Sequence, residues 1–447
     1  MVSGLIWARF AQIWHDDAVL CHHGDMLATF SAKNFRSFKD EATLDLRAPR
    51  GRAPGARPWD GNILPVVAIY GANASGKTTL FKAMASMAHQ VKRSYIESRV
   101  EAEPFIFDAD SPREPTEFTA TFVSDADNRC YAYGFGVLDG AVVSEWADLY
   151  ATGRPTRLFT RDATGIKFGA ALKGPNQAVA RTVRPASLYL SAAGAAEHPG
   201  LAPIWYWFAH QLRTYAAGGH GSRLKDSLAL LTSDEGLRKQ VIGVLGRADL
   251  GLDGVEYAEV EADPKEREVY ERLRSALASV PELTGMAPPP PKRKLGFGVH
   301  SFGAVSYRLP IFQESEGTRA MLSHALVTCE ALATGATAVF DEIDASLHPL
   351  LLRRLVEVFQ DSAANPRQAQ MIFTTHDVSL MDAGSPGGSR LGRDEVWVTE
   401  KDGAGRSTLA PVADYRPRER DNLARRYLSG RFGGVPQPAP LVQPALS

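Results

Sequence analysis

The sequence predicts an α/β fold: a mixed sheet with flanking helices, an antiparallel β-meander lobe and an inserted helical region. Three observations carry this expectation. Leu64-Pro65-Val66-Val67-Ala68-Ile69-Tyr70 is a short, continuous apolar run rich in β-branched residues, as in a parallel strand buried on both faces. It feeds into the glycine-rich stretch Gly71-Ala72-Asn73-Ala74-Ser75-Gly76, after which Leu80, Phe81, Met84, Met87 and Ala88 recur at helical spacing. Far downstream, two more apolar runs, Thr337–Phe340 and Gln370–Thr375, flank an amphipathic helix carrying Leu351, Leu352, Leu355, Val356 and Phe359.

The other elements follow in chain order. Leu27–Phe30 reads as a first strand, Asn34-Phe35-Arg36 as its turn and Ala42–Leu46 as a second strand, followed by a Pro/Gly/Arg-rich loop to Gly61. Phe118–Val123, Cys130–Leu138 and Val142–Tyr150 alternate between turn residues and form the meander. From about Leu201 to Val280 the patterning becomes helical. Met286–Lys294, with four consecutive prolines, is a stiff basic connector through which no backbone ladder can run. The tail after Gly433 is proline-rich and expected to be disordered.

A length of 447 residues suggests about two to three structural units. We expect an N-terminal extension at 1–25, a lobe at 26–200, the helical insertion with its connector at 201–291, a second lobe at 292–415 and a basic C-terminal segment at 416–447. Hydrophobic residues at 44% and charged residues at 23% are globular values, which excludes fibrous and disordered classes. The net charge of −1 provides no global attraction to nucleic acid, so binding of DNA or RNA is possible but not indicated. No apolar stretch approaches the roughly 20 residues of a membrane helix. Cys21, Cys130 and Cys329 have no ligand-like spacing and suit reduced thiols, so a cytoplasmic protein is expected. Cys21-His22-His23 with Asp25 lacks a second cluster to complete a tetrahedral metal site. Residues 1–25 are expected to be a translated extension ahead of a folded protein that begins at Met26.

The chemistry rests on Gly71-Ala72-Asn73-Ala74-Ser75-Gly76-Lys77-Thr78, a full GxxxxGK[ST] pattern between strand and helix, with Thr79 next to it. Glycines allow backbone N–H groups to turn inward around phosphate oxygens, and the helix N-terminus adds partial positive charge. Lys77 is placed to reach β- and γ-phosphates and Thr78 to offer a hydroxyl to Mg²⁺, so ATP and Mg²⁺ are the expected cofactors. The run ending in Asp341-Glu342 supplies the remaining carboxylates. Asp341 holds the metal water and Glu342 orients and deprotonates the attacking water. The run ending in Thr374-Thr375-His376 brings His376 to the same carboxyl edge, where it can contact the γ-phosphate.

In their order these segments, with Asp344-Ala345-Ser346-Leu347-His348-Pro349 as a D-loop, resemble the ABC-type ATPases of the SMC/RecF/OLD group. The resemblance implies a P-loop NTPase of ABC/SMC head type that closes head to head, in a dimer or higher oligomer, around ATP. Glu314-Ser315-Glu316-Gly317-Thr318-Arg319 stands where the group's Leu-Ser-Gly-Gly signature is expected, so Ser315 and Gly317 would meet the γ-phosphate of the opposite protomer. Glu316 replaces a glycine, and no residue is assigned to the Q-loop glutamine. Arg36, after the first strand, is a candidate nucleotide contact. A narrower resemblance, carried also by Asn34–Phe38 and Arg426-Tyr427-Leu428-Ser429-Gly430-Arg431-Phe432-Gly433, is to the stand-alone RloA/AbiL-like ATPases of bacterial abortive infection. It implies a sensor or regulatory subunit controlling a separate nuclease-like or toxin-like effector; the alternative is a RecF/SMC-like ATPase acting directly on DNA. A self-contained OLD-type nuclease would need a further carboxylate cluster, which the residues after about Leu409 do not contain. The arginines from Arg416 to Arg431 are interrupted by Glu419 and Asp421 and are read as a solvated helix face.

Overall fold

The computed structural model describes residues 25–48, 63–150, 154–218, 224, 231, 234–248, 250–261, 263–279, 292–345, 347–382, 384–385, 390–418 and 421–436. The Cys21-His22-His23 cluster, most of the expected extension, the four prolines of the connector, Ser346 and the end of the tail lie outside them.

The strands are β1 (Leu27–Lys33), β2 (Ala42–Asp45), β3 (Val66–Gly71), β4 (Thr116–Ser124), β5 (Arg129–Leu138), β6 (Ala141–Tyr150), β7 (Pro155–Asp162), β8 (Gly165–Phe168), β9 (Leu212–Tyr215), β10 (Gly254–Glu261), β11 (Lys292–Phe302), β12 (Val305–Pro310), β13 (Thr337–Phe340), β14 (Gln370–Thr374), β15 (Val396–Lys401) and β16 (Ser407–Pro411). The helices are α1 (Lys77–Glu97), α2 (Asn176–Ala180), α3 (Tyr189–Ala195), α4 (Ala202–Tyr206), α5 (Glu235–Gly246), α6 (Pro264–Ala278), α7 (Glu316–Thr334), α8 (Pro349–Gln360) and α9 (Leu423–Leu428).

The sheet that positions the site has the order β16-β15-β3-β14-β13-β9. Its strands from β15 to β9 are parallel and only β16 is antiparallel. Side-chain alternation divides each strand between two cores. Val67, Ile69, Val339 and Ile372 face α1 and the antiparallel sheet, whereas Val66, Ala68, Ala338, Phe340, Met371 and Phe373 share the opposite core with α7 and α8. Burial on both faces is why these strands read as unbroken apolar runs.

The expected meander is larger than its three runs. It belongs to a seven-stranded antiparallel sheet, β2-β1-β4-β5-β6-β7-β8, with the first two strands at one edge. Gln370 joins the two sheets: its side chain accepts from Leu27 N–H at 2.6 Å and Thr337 Oγ1 at 2.9 Å, and donates to Leu27 O at 3.0 Å. A buried amide with every group paired fixes the register between layers.

The segment expected to be a helical insertion, 201–291, is mixed. It contains α4, α5 and α6, but also β9, which pairs in parallel with β13, and β10, which pairs with β11 in a three-stranded sheet β10-β11-β12. The expected boundary at 291 therefore falls between paired strands. β9 has only four residues, too few for a period to show, and it is a strand because β13 offers it a free edge. Cys130 and Cys329 are free, buried thiols that burial pushes up to about 12, so both are un-ionised packing residues. Among the described residues no helix is long and apolar enough to cross a membrane.

Candidate nucleotide site

β3 lies between β15 and β14, with β13 beyond β14, so three parallel strands end together at one edge of the sheet. Ligands of open α/β sheets bind at such an edge. The loop from Gly71 to Gly76 leaves β3 there and enters α1, whose first residue is Lys77. Gly71 and Gly76 have φ of +155° and +119°, and a Cβ on Gly76 would lie 2.7 Å from Ser407 Oγ. Glycine is required at that position for both conformation and space.

A neighbouring strand holds the loop, and the β1–β2 turn holds the start of α1. Ser75 Oγ and Thr399 Oγ1 are 2.6 Å apart, and Ser37 Oγ lies 3.0 Å from Thr79 Oγ1. Ser75 and Thr79 thus spend their hydroxyls on scaffold contacts, and the Ser75 N–H donates to Ala72 O at 3.2 Å within the loop. Lys77 is 5% exposed, and its ammonium donates to Gly71 O at 2.9 Å and Ala72 O at 3.1 Å. Burial pushes this ammonium below the ordinary lysine range, and Glu342, Asp341 and Asp344 oppose that shift. An ammonium held in a ring of loop carbonyls beside three carboxylates suits a polyphosphate–metal group, whose opposite charges would engage both.

Thr78 Oγ1 donates to Asp341 Oδ1 at 3.3 Å, joining the loop to the end of β13 as a metal site requires. Sequence reasoning missed Thr374. Its hydroxyl donates to Asp341 Oδ1 at 2.8 Å and accepts from Glu342 N–H at 2.7 Å, so one side chain orients both acids. The register pairs Phe340 with Phe373, placing Asp341 beside Thr374, and that pairing is the only signal for it. Asp341 is buried, whereas Glu342 is exposed with φ +49°, a left-handed backbone that turns its carboxylate away from the strand.

His376 follows β14 as expected, its N–H donating to Asp344 Oδ2 at 3.1 Å. Burial and then Lys77 push its imidazole down, against the pull of Asp344 and Glu342, so the ring is neutral near pH 7. Lys77, Thr78, Asp341, Glu342 and His376 come together.

Other candidates stand apart from this group. Ser315 caps α7, its Oγ accepting from Thr318 N–H at 3.1 Å, and Gly317 lies in the first turn of that helix. Arg36, with φ +50°, forms a 2.5 Å ion pair with Glu103, and its turn meets the loop through Ser37. In the C-terminal arginine cluster, Arg426 pairs with Asp421 and lies over the Phe432 ring, so it is partly internal rather than wholly solvated.

No curated protein matches the sequence. Among solved structures the chain is similar to an Smc head bound to the C-winged helix domain of ScpA (14% identity, 86% of this chain and 97% of that one, TM-score 0.46). It is also similar to the SMC head domain from Thermotoga maritima (13%, 86% and 98%, TM-score 0.40) and to the recombination mediator protein RecF with ATP (14%, 88% and 100%, TM-score 0.37). The model of one protein family, described as "AAA domain, putative AbiEii toxin, Type IV TA system", matches residues 66–173 and 228–382, and the chain belongs to that family.

Proposed function

We propose that this chain binds ATP·Mg²⁺ in the Gly71–Thr79 loop and hydrolyses it, using the cycle as a conformational switch that controls a separate effector. The observation that carries the reading is the convergence of Lys77, Thr78, Asp341, Glu342 and His376 at the carboxyl edge of β3, β13 and β14. Loop N–H groups and Lys77 hold the phosphates. Thr78 and Asp341 would hold Mg²⁺, which when bound would neutralise charge on the phosphates. Glu342 orients a water and takes its proton, and neutral His376 offers one N–H toward the γ-phosphate. Arg36 joins the site only by exchanging Glu103 for a phosphate oxygen.

Ser315 and Gly317 lie at the N-terminus of α7 and would complete the nucleotide site of a second copy, making ATP the bridge between two heads. The family's description supports a place in a toxin–antitoxin-like system, and the resemblance to RloA/AbiL-like proteins is what favours a regulatory, cytoplasmic role in anti-phage defence. The test is phosphate release by the purified chain, read with sedimentation in ATP and in ADP, with and without duplex DNA. Turnover indifferent to DNA, with association in ATP only, is the expected result. Strong stimulation by DNA would instead place the chain among RecF/SMC-like ATPases acting directly on DNA.

Thr374 gives a separate check on the metal assignment. Thr374→Val removes the hydroxyl that orients both acids, and outer contacts of this kind are worth about 10–100-fold in metal affinity. The Mg²⁺ concentration for half-maximal turnover should rise by about tenfold or more. An unchanged Mg²⁺ titration would remove Asp341 from the metal site.

A further inference from the structure

The residues around α9 lie on the P-loop from the side opposite α1. Asn422 caps α9, accepting from Arg425 N–H at 3.0 Å, and its amide donates to Asp382 Oδ1 at 2.6 Å. Tyr427 is 6% exposed, and its ring packs 5.7 Å from that of Tyr70, the residue just before Gly71. The Tyr427 hydroxyl donates to Gly434 O at 3.1 Å and also lies by the Gly71 N–H, which offsets part of the rise that burial gives this phenol.

The chain then turns back through two residues in left-handed conformation, Gly433 (φ +69°) and Gly434 (φ +66°). A Cβ on Gly434 would lie inside the Val398 side chain, 2.8 Å from Thr399 O and 3.4 Å from Gly71 Cα. The strap therefore reaches the first residue of the loop through the Tyr427 hydroxyl and packs Gly434 against Val398 and Thr399. The Thr399 hydroxyl holds Ser75 and donates to Tyr70 O at 3.3 Å. Tyr70 in turn donates its hydroxyl to Asp377 O at 2.9 Å, next to His376.

We infer that Asn422–Gly434 is a strap that sets the shape of the phosphate loop from behind, with Tyr427 and Gly434 as positioning residues for nucleotide binding. The inference rests on the nucleotide reading of the loop. A side chain at 434 would press first on Val398 and on the Thr399 carbonyl of the strand that holds Ser75, so it would disturb the loop through that strand and the strap itself. Tyr427 locks the turn that brings Gly434 into place, and its ring carries the same contact to Tyr70 and thence to the segment bearing His376.

The test uses the full chain with Gly434→Ala, Tyr427→Phe and, as a control for backbone strain alone, Gly165→Ala. Gly165, the first residue of β8, has φ +117° with open space around it. Steady-state ATP turnover is measured well below each variant's melting temperature. Gly434→Ala should raise KM for ATP by about tenfold or more and Tyr427→Phe by about three- to tenfold, the loss of one buried hydrogen bond, with kcat nearly kept in Tyr427→Phe. Gly165→Ala should lower the melting temperature and leave KM alone. If Gly434→Ala does not fold, Tyr427→Phe decides the matter. An ATP-hydrolysing parent with parental KM in every variant that folds overturns the strap. A parent that binds no ATP overturns the nucleotide reading, and the strap with it.

Discussion

Lys77→Ala weakens ATP binding by roughly 30-fold or more. The ammonium is almost wholly buried, fixed on the carbonyls of Gly71 and Ala72, and surrounded by Asp341, Glu342 and Asp344. A cation has no packing value in such a place, and its burial is costly unless an anion is brought to it. Removing one partner of a desolvated charge pair costs about 2–5 kcal/mol or more, roughly 30- to several-thousand-fold in affinity. Titration with a fluorescent ATP analogue reads the effect, and a melting curve shows whether the variant is folded. A folded Lys77→Ala chain that binds ATP with parental affinity would mean that the loop is not the nucleotide site.

Glu342→Gln retains ATP and stops turnover. The side chain is exposed at the rim and its residue has left-handed backbone, with the N–H secured on Thr374 Oγ1. None of those features needs the negative charge, so the amide should occupy the same place without disturbing Asp341 or the metal. What it loses is the ability to take a proton from water, a contribution of about 10²–10⁴ in rate. Single-turnover phosphate release should fall by that factor while ATP affinity is kept, and sedimentation in ATP should show the associated form persisting. A Glu342→Gln chain that turns over at the parental rate would show that the base lies elsewhere.

Much of the site is legible from residue order. The GxxxxGK[ST] stretch, the Asp-Glu pair and His376 each follow a buried strand, and the strand ends deliver them to one edge. The residues that hold them in place are not legible in this way. Thr374, Thr399 and Ser407 carry no pattern of their own; each matters because another strand lies beside it in a given register. β9 was hidden for the same reason, since Leu212–Tyr215 is a strand only against β13. Arg36 shows the converse, a residue well placed by its position in sequence whose guanidinium the fold gives to Glu103.

The sequence by itself determined which local conformations were open: a glycine loop between a buried strand and a helix, acids and a histidine at strand ends, and an α/β chain with a meander. Those are properties of sterics and apolar period within a few residues of one another. The tertiary structure decided the strand order, with β14 between β3 and β13, and the hydroxyls that orient the acids. It also decided that residues more than 340 positions beyond the P-loop pack beside it. Those depend on packing between distant segments, which only the folded sheet specifies.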